Sequence, residues 1–269
     1  MIIGIIGVGF VGNAIYSFCK KHNIKNIIYD KYKNGGIGSP NDILNTDIVY
    51  LCLPTLFCEK RNSYNTDSIV ENISFLNQNN YSGIILIKST VQPTFSNNIS
   101  LKYPKLKIWH NPEFLSAKTA VHDFENPPQI ILGFSMKRKT FIQESNTLTQ
   151  FYKNYFNNIP ITIASSNETE TVKICANSFY SVKIQFFNEI YDLCNKLHID
   201  YNNVKQMMLD NKWINSNHTN VPGHDGLLSY GGACFPKDTN ALLQFMKQYN
   251  VSHNVLEATI KERNLIRDK

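Results

Sequence analysis

A chain of 269 residues with 42% hydrophobic content is globular and long enough for one large or two modest cores. Its net charge of +6 comes from scattered lysines, which suits phosphorylated small molecules and argues against nucleic acid as a partner. No apolar run approaches the ~20 residues that a bilayer span needs, and Met1–Gly12 lacks the basic flank of a secretory signal, so a cytoplasmic, membrane-free protein is expected. Cys19, Cys52, Cys58, Cys175, Cys194 and Cys234 show neither CxxC pairing nor metal-ligand spacing. They are expected to be reduced thiols with no metal site.

Ile2–Ile6 is a continuous apolar run, the pattern of a strand buried on both faces of a parallel sheet. It leads into Gly7-Val8-Gly9-Phe10-Val11-Gly12 and an amphipathic stretch to about His22. A second strand, Asn26–Tyr29, ends at Asp30, 18 residues after Gly12. A GxGxxG alone is a weak signal. Between a strand and a helix, and answered by an acid at the next strand end, it reads as a dinucleotide fingerprint. Gly7, Gly9 and Gly12, with Phe10 and Val11 between them, would place a pyrophosphate on the helix N-terminus, and Asp30 would accept from the adenosine ribose. An acid there favours NAD over NADP.

Strands are expected at Asp47–Leu53, Gly83–Lys88, Lys105–Trp109, Gln129–Leu132 and Ile159–Ala164, with helices at Thr66–Asn79 and Lys139–Asn157. Thr55, Thr90 and Glu113 each follow a strand's C-terminal end, where open α/β sheets bind ligands. From about Glu168 the alternation stops. Thr169–Leu197 reads as one long helix, Asn203–Leu209 as a short one, and Asn211–Tyr230 as an aperiodic loop. Lys173 and Asn177, four residues apart, share a helix face. An ammonium and an amide N–H there would favour a negatively charged oxygen.

Gly231-Gly232-Ala233-Cys234-Phe235-Pro236-Lys237-Asp238 follows, putting a thiol, an ammonium and a carboxylate within five residues. Pro236 suits the first turn of a helix. A cysteine before that turn and beside Lys237 would be partly thiolate. Helices to about Tyr249 and from Val251 to Lys269 complete the chain. The expected fold is α/β: a Rossmann-type doubly wound parallel sheet over residues 1–165, then an all-helical domain over 166–269 that carries the cysteine loop and mediates dimerisation.

GVGFVG at 7–12, Asp30, Pro54-Thr55, Ser89-Thr90-Val91, Asn111-Pro112-Glu113-Phe114-Leu115, Lys173-x3-Asn177, Phe187-Asn188-Glu189 and GGACFPKD at 231–238 together resemble the UDP-glucose/GDP-mannose dehydrogenase family. The pieces fall in that family's order from residue 2 to about 264, and the Val221-Pro222-Gly223-His224-Asp225-Gly226 loop looks most like its UDP-glucose members. The resemblance implies a four-electron oxidation of UDP-glucose to UDP-glucuronate with two NAD+, through a thiohemiacetal and a thioester on Cys234. It implies that Thr90 and Asp238 orient a water, Lys173 and Asn177 stabilise the oxyanion, and Glu113 is the hydrolytic base. It places Thr55, Thr90 and Lys237 at the cofactor. Glu113, Phe114, Leu115, Lys173, Asn177, Tyr230, Gly231 and Cys234 fall at the substrate. It also implies a homodimer through the helical domain.

Three departures accompany it. Ala117 stands where the family carries a second acid, and only 16 residues separate Asp30 from Asp47, so part of the adenosine-side wall is expected to be missing. The sequence stops where the family's helix to a UDP-binding third domain would continue. Two other readings fit parts of the pattern: a β-hydroxyacid dehydrogenase of the hydroxyisobutyrate type, and a non-catalytic nucleotide-binding protein.

Overall fold

In the middle of the sheet, runs of isoleucine, valine and leucine form strands that are buried at every position, because only a sheet covered on both faces can take them, while the edge strands are partly covered. The computed structural model describes residues 1–136 and 139–267. It opens with β1 (Ile3–Ile6), α1 (Phe10–Lys21), β2 (Asn26–Tyr29), α2 (Pro40–Ile43) and β3 (Ile48–Leu51). A small hairpin follows, β4 (Phe57–Cys58) and β5 (Ser63–Tyr64). Next come α3 (Asp67–Gln78), β6 (Ile84–Ile87), α4 (Phe95–Lys102), β7 (Lys107–His110), α5 (Ala120–Glu125), β8 (Ile130–Phe134), α6 (Phe141–Tyr155) and β9 (Ile161–Ser165). The remainder is helical: α7 (Ser166–Leu197), α8 (Tyr201–Asp210), α9 (Phe235–Gln248) and α10 (Asn254–Arg267). The expected helix end at Lys269 lies outside the described residues.

The chain forms two compact units, one of Met1–Leu56 with Asn65–Lys173, the other of Phe57–Tyr64 with Ile174 onward. In the first, a seven-stranded sheet has the order β2-β1-β3-β6-β7-β8-β9. Helices α1, α5 and α6 pack on one face through Ile15, Phe18, Phe124, Leu148 and Phe151. The opposite face takes α3 and α4 through Ile69, Ile73, Leu76 and Ile99. The order reverses between β1 and β3, which is where such sheets open a crevice for a ligand.

The sheet is Rossmann-like but mixed. β8 runs antiparallel to β7, and β9 is parallel to β8. Residues 111–129 hold only the short α5, and an antiparallel neighbour needs no long crossover. The C-terminal ends of β8 and β9 therefore lie at the edge opposite the ligand edge.

Helices α2, α4 and α5 are additions to the sequence reading. α4 (FSNNISLK) is poor in helix formers, and Thr94 before it sits at φ +78° without a side-chain cap. Its N-terminus is capped from elsewhere: the Glu170 carboxylate of α7 accepts from Ser96 N–H at 2.9 Å. α7 starts three residues before the expected Thr169 through a reciprocal capping box. Ser165 N–H donates to Glu168 at 2.8 Å, and Glu168 N–H to Ser165 Oγ at 3.3 Å.

Burial pushes the Glu170 carboxyl up to about 7 despite the N–H groups of Ser96, Thr94 and Phe95. Fully buried His110, on β7, is pulled down to about 3 by burial and by the Lys88 and Lys173 charges. Protonated Glu170 favours the folded form, so its contribution falls as pH rises from its ordinary 4.5 to about 7. Neutral His110 favours it too, so that contribution falls as pH drops from 6.5 to about 3. The two slopes oppose each other over their shared window. Glu170→Gln is expected to raise stability by about 3 kcal/mol at pH 8 and by almost nothing at pH 4.5. Urea midpoints at both pH values check this, and an equal gain at both would rule out the ionisation account.

The second unit packs three small clusters: Phe187 with Cys194 and Tyr201, Leu243 with Leu256 and Ile260, and Ile174 with Ala241 and Tyr64. Its regular elements are helices and the hairpin, which the chain contributes from between β3 and α3, and residues 211–234 are irregular.

Candidate active site

The loop after β1 is shaped for close approach by a ligand. Gly7 has φ +89°, and a Cβ on Gly12 would lie 1.9 Å from Gly7 O, so neither position tolerates a side chain. A Cβ on Gly9 would meet nothing within 4 Å, leaving open space over the start of α1. The N–H groups of Phe10, Val11 and Gly12 have no partner inside that helix, since the first bond runs from Asn13 N–H to Gly9 O. Asp30 Oδ2 accepts from Val8 N–H at 2.7 Å, and Oδ1 accepts from the N–H groups of Tyr32 and Lys33. Partial burial opposes its charge, but those N–H groups and the Lys33 ammonium outweigh it and hold the carboxyl below its usual range. A carboxylate oxygen has two acceptor sites, so Oδ2 keeps one for a ribose hydroxyl. These residues fit a dinucleotide.

The ends of β3 and β6 are stitched together around Ser89, whose Oγ accepts from Leu53 N–H at 2.9 Å. Thr55 Oγ1 donates to Thr90 O at 2.7 Å, and both threonines are buried. Beyond β7, Glu113 Oε1 pairs with Lys173 Nζ at 3.1 Å while Oε2 accepts from Leu115 N–H at 2.7 Å. The Lys173 ammonium also lies 5.1 Å from the Phe114 ring centroid. Buried Lys88, at the end of β6, is pulled down to about 8 by burial, against the attraction of Glu113 and Cys52. The sequence pointed to Glu113 and Lys173 separately; the structure makes them an ion pair.

In the second unit, Cys234 is exposed and precedes the first turn of α9. Asp238, one turn on, is completely buried. Its Oδ1 accepts from Tyr64 hydroxyl at 2.5 Å and from Lys237 Nζ at 2.5 Å, and its Oδ2 from Asn177 Nδ2 at 2.6 Å. Tyr64 was not expected. Its strand is two residues long, too short for any periodicity, and only the aromatic flanks Phe57 and Tyr64 of a polar turn hint at it. The loop ahead of the cysteine is tied down by Arg267, which donates to Leu228 O, Ser229 O and Asp225 Oδ2 at 2.7–2.8 Å. Ser229 N–H also donates to Asn188 Oδ1 at 2.8 Å. A Cβ on Gly231 would come within 2.3 Å of the Arg267 guanidinium. Tyr230 is 1% exposed and so lines the interior of this unit.

The residues singled out in the sequence thus fall into two groups. The glycine loop, Asp30, Thr55, Thr90, Glu113, Phe114, Leu115 and Lys173 belong to the first unit. Asn177, Tyr230, Gly231, Cys234, Lys237 and Asp238 belong to the second. Among the described residues no cluster of His, Cys, Asp and Glu is arranged to hold a metal ion. None of their helices is long and apolar enough to cross a membrane.

The NAD binding domain of the UDP-glucose/GDP-mannose dehydrogenase family matches residues 35–156, and that family's central domain matches residues 167–264. The chain belongs to this family. It is therefore related to NAD-dependent oxidoreductases, and its first unit corresponds to their NAD-binding domain. It is 31% identical over 236 residues to a UDP-glucose 6-dehydrogenase of Rickettsia typhi, covering 84% of this chain and 51% of the relative. The chain spans about half or less of the length of the curated relatives it matches. A UDP-glucose dehydrogenase from Pyrobaculum islandicum superimposes with a TM-score of 0.82 at 21% identity, over 97% of this chain and 67% of that one. A 3-hydroxyisobutyrate dehydrogenase from Mycobacterium tuberculosis has the same fold, with a TM-score of 0.74 at 12% identity over 97% and 91% of the two chains.

Proposed function

We propose that this protein oxidises the primary alcohol of a nucleotide sugar, UDP-glucose by preference, to the carboxylate in two steps through a covalent adduct on Cys234. The observation that carries this reading is the exposed Cys234 at the start of α9, one turn before a buried carboxylate held by Tyr64, Lys237 and Asn177. A nucleotide-binding role alone would have no use for that thiol.

Bound NAD+ would supply the hydride acceptor for each oxidation. Gly7–Gly12 and Asp30 would hold its pyrophosphate and ribose, with Thr55, Thr90 and Lys237 beside it. Cys234 thiolate attacks the C6 aldehyde carbon, forming a C–S bond while the carbonyl oxygen takes a proton. Loss of a second hydride and of that proton leaves a thioester. Lys173 ammonium and the Asn177 amide would stabilise the oxygen whenever it is anionic. Glu113 would take a proton from water as it attacks the thioester carbonyl, and the C–S bond then breaks to return the thiolate. Phe114, Leu115 and Gly231 would shape the sugar's surroundings, with Tyr230 backing them from the interior of its unit, and Thr90 and Asp238 would orient a water that helps remove the alcohol proton as the first hydride leaves. Cysteines without disulfide partners and a free thiol nucleophile suit the reducing cytoplasm, which we propose as its location.

Purified protein given UDP-glucose and NAD+ should release two NADH for each carboxylate formed. Absence of NADH with any nucleotide sugar, despite NAD+ binding, would overturn the proposal. The hydroxyisobutyrate-type alternative, whose fold this chain shares, predicts one NADH per small hydroxyacid.

The same reading pairs two copies through α7. Phe179, Phe186 and Leu193, all exposed, recur at seven-residue intervals, making a stripe along that helix. Phe186→Glu should convert a dimer into a monomer by sedimentation; a variant that remains dimeric would move the interface elsewhere.

A further inference from the structure

Asp238 is a buried anion, and its surroundings determine what its neighbours can do. A carboxylate only accepts hydrogen bonds, so Asn177 must turn its NH2 toward Oδ2 at 2.6 Å. That contact leaves the second Nδ2–H and Oδ1 of Asn177 in fixed directions. On the other side, Oδ1 is shared between Lys237 and Tyr64. Lys237 is a flexible, strongly hydrated donor and is partly exposed at 15%. Tyr64 is the rigid one. Its ring is 4% exposed and packs with Ile174 and Ala241, flanked by Phe57 and Leu242. The same ring lies 4.8 Å from Lys237 Nζ, so one side chain restrains both the carboxylate and the ammonium.

We propose that Tyr64 is a positioning residue for the reaction assigned above: its hydroxyl fixes the Asp238 carboxylate, and through it the Asn177 amide, while its ring face steadies Lys237. The proposal rests on that assignment for its effect on turnover, but the hydrogen-bond relay itself does not. Without the hydroxyl, Oδ1 keeps only the mobile Lys237. The carboxylate can then rotate, and Asn177 loses the contact that orients it.

Tyr64→Phe keeps the ring, and therefore the apolar packing, while removing the donor. It is expected to lower kcat about tenfold, the size of one lost hydrogen bond to a charged group, with KM for NAD+ unchanged and a melting temperature lower by a few degrees, because the buried carboxylate loses one of its donors. Unchanged kcat in an active protein would overturn the proposal, as would a fall in activity that disappears when kcat is counted per folded molecule well below the melting temperature. A second measurement is independent of turnover. The Asn177 side-chain amide, assigned in a ¹⁵N spectrum by its loss from Asn177→Asp, is expected to shift in Tyr64→Phe. An unmoved amide would overturn the relay whether or not the protein oxidises any sugar. A moved amide in a wild-type protein inactive on every nucleotide sugar would keep the relay and reject the assigned reaction.

Discussion

Serine in place of Cys234 is expected to cut NADH release from two per UDP-glucose to one at most and to slow carboxylate formation by a factor of about 10³ or more. The expectation follows from what a hydroxyl cannot do at this position. A thiol is a few per cent ionised or more near neutrality and intrinsically nucleophilic, whereas a serine hydroxyl needs an adjacent base. The carboxylate one turn on, Asp238, is already engaged by Tyr64, Lys237 and Asn177, so it is a weak base for a hydroxyl whose ordinary ionisation lies far above that of a thiol. The substitution is almost isosteric at an exposed site, so folding should be unaffected and NAD+ binding retained. NADH counted against carboxylate in a single-turnover experiment reads the result directly. Two NADH at the wild-type rate would remove Cys234 from the chemistry.

Glu113→Gln should separate oxidation from hydrolysis. Glu113 is oriented from both sides, by Lys173 at Oε1 and by Leu115 N–H at Oε2, the arrangement expected of a carboxylate that must present a fixed lone pair to water. An amide at this position cannot take a proton, and positioned general bases typically contribute 10²–10⁴-fold. The variant should therefore accumulate a sugar-nucleotide adduct on Cys234 during turnover, seen as a mass increase that maps to the peptide containing that residue. An unmodified cysteine under turnover would assign hydrolysis to another group. The glutamine also deprives the Lys173 ammonium of its counter-charge, so the first oxidation should slow as well, by less than the hydrolysis.

What could be read from the sequence was local. β1, the glycine loop, Asp30 and the strand ends at Thr55, Thr90 and Glu113 each announce themselves within a few residues, through continuous apolar runs or residues that a turn requires. What escaped was set by distant partners. α4 is capped by Glu170, 74 residues away. The direction of β8 follows from how its connection packs, and no period in the strand encodes that. The Tyr64 contact to Asp238 spans 174 residues and depends on a hairpin with too few residues to show alternation. The Glu113–Lys173 pair lies between these cases: both residues stood out, each for a separate role, and only folding joined them.

The hairpin of Phe57–Tyr64 has one more consequence. Because it belongs to the second unit while interrupting the sequence of the first, no single cut divides the gene into two self-sufficient pieces. A fragment ending at Lys173 would carry an aromatic hairpin stripped of Ala241 and Leu242, and a fragment starting at Ile174 would bury Asp238 without its phenol. Recombination that exchanged one unit for a relative's would need two further breakpoints, at either end of eight residues. An exchange of either unit therefore has to move the eight hairpin residues with the cysteine unit.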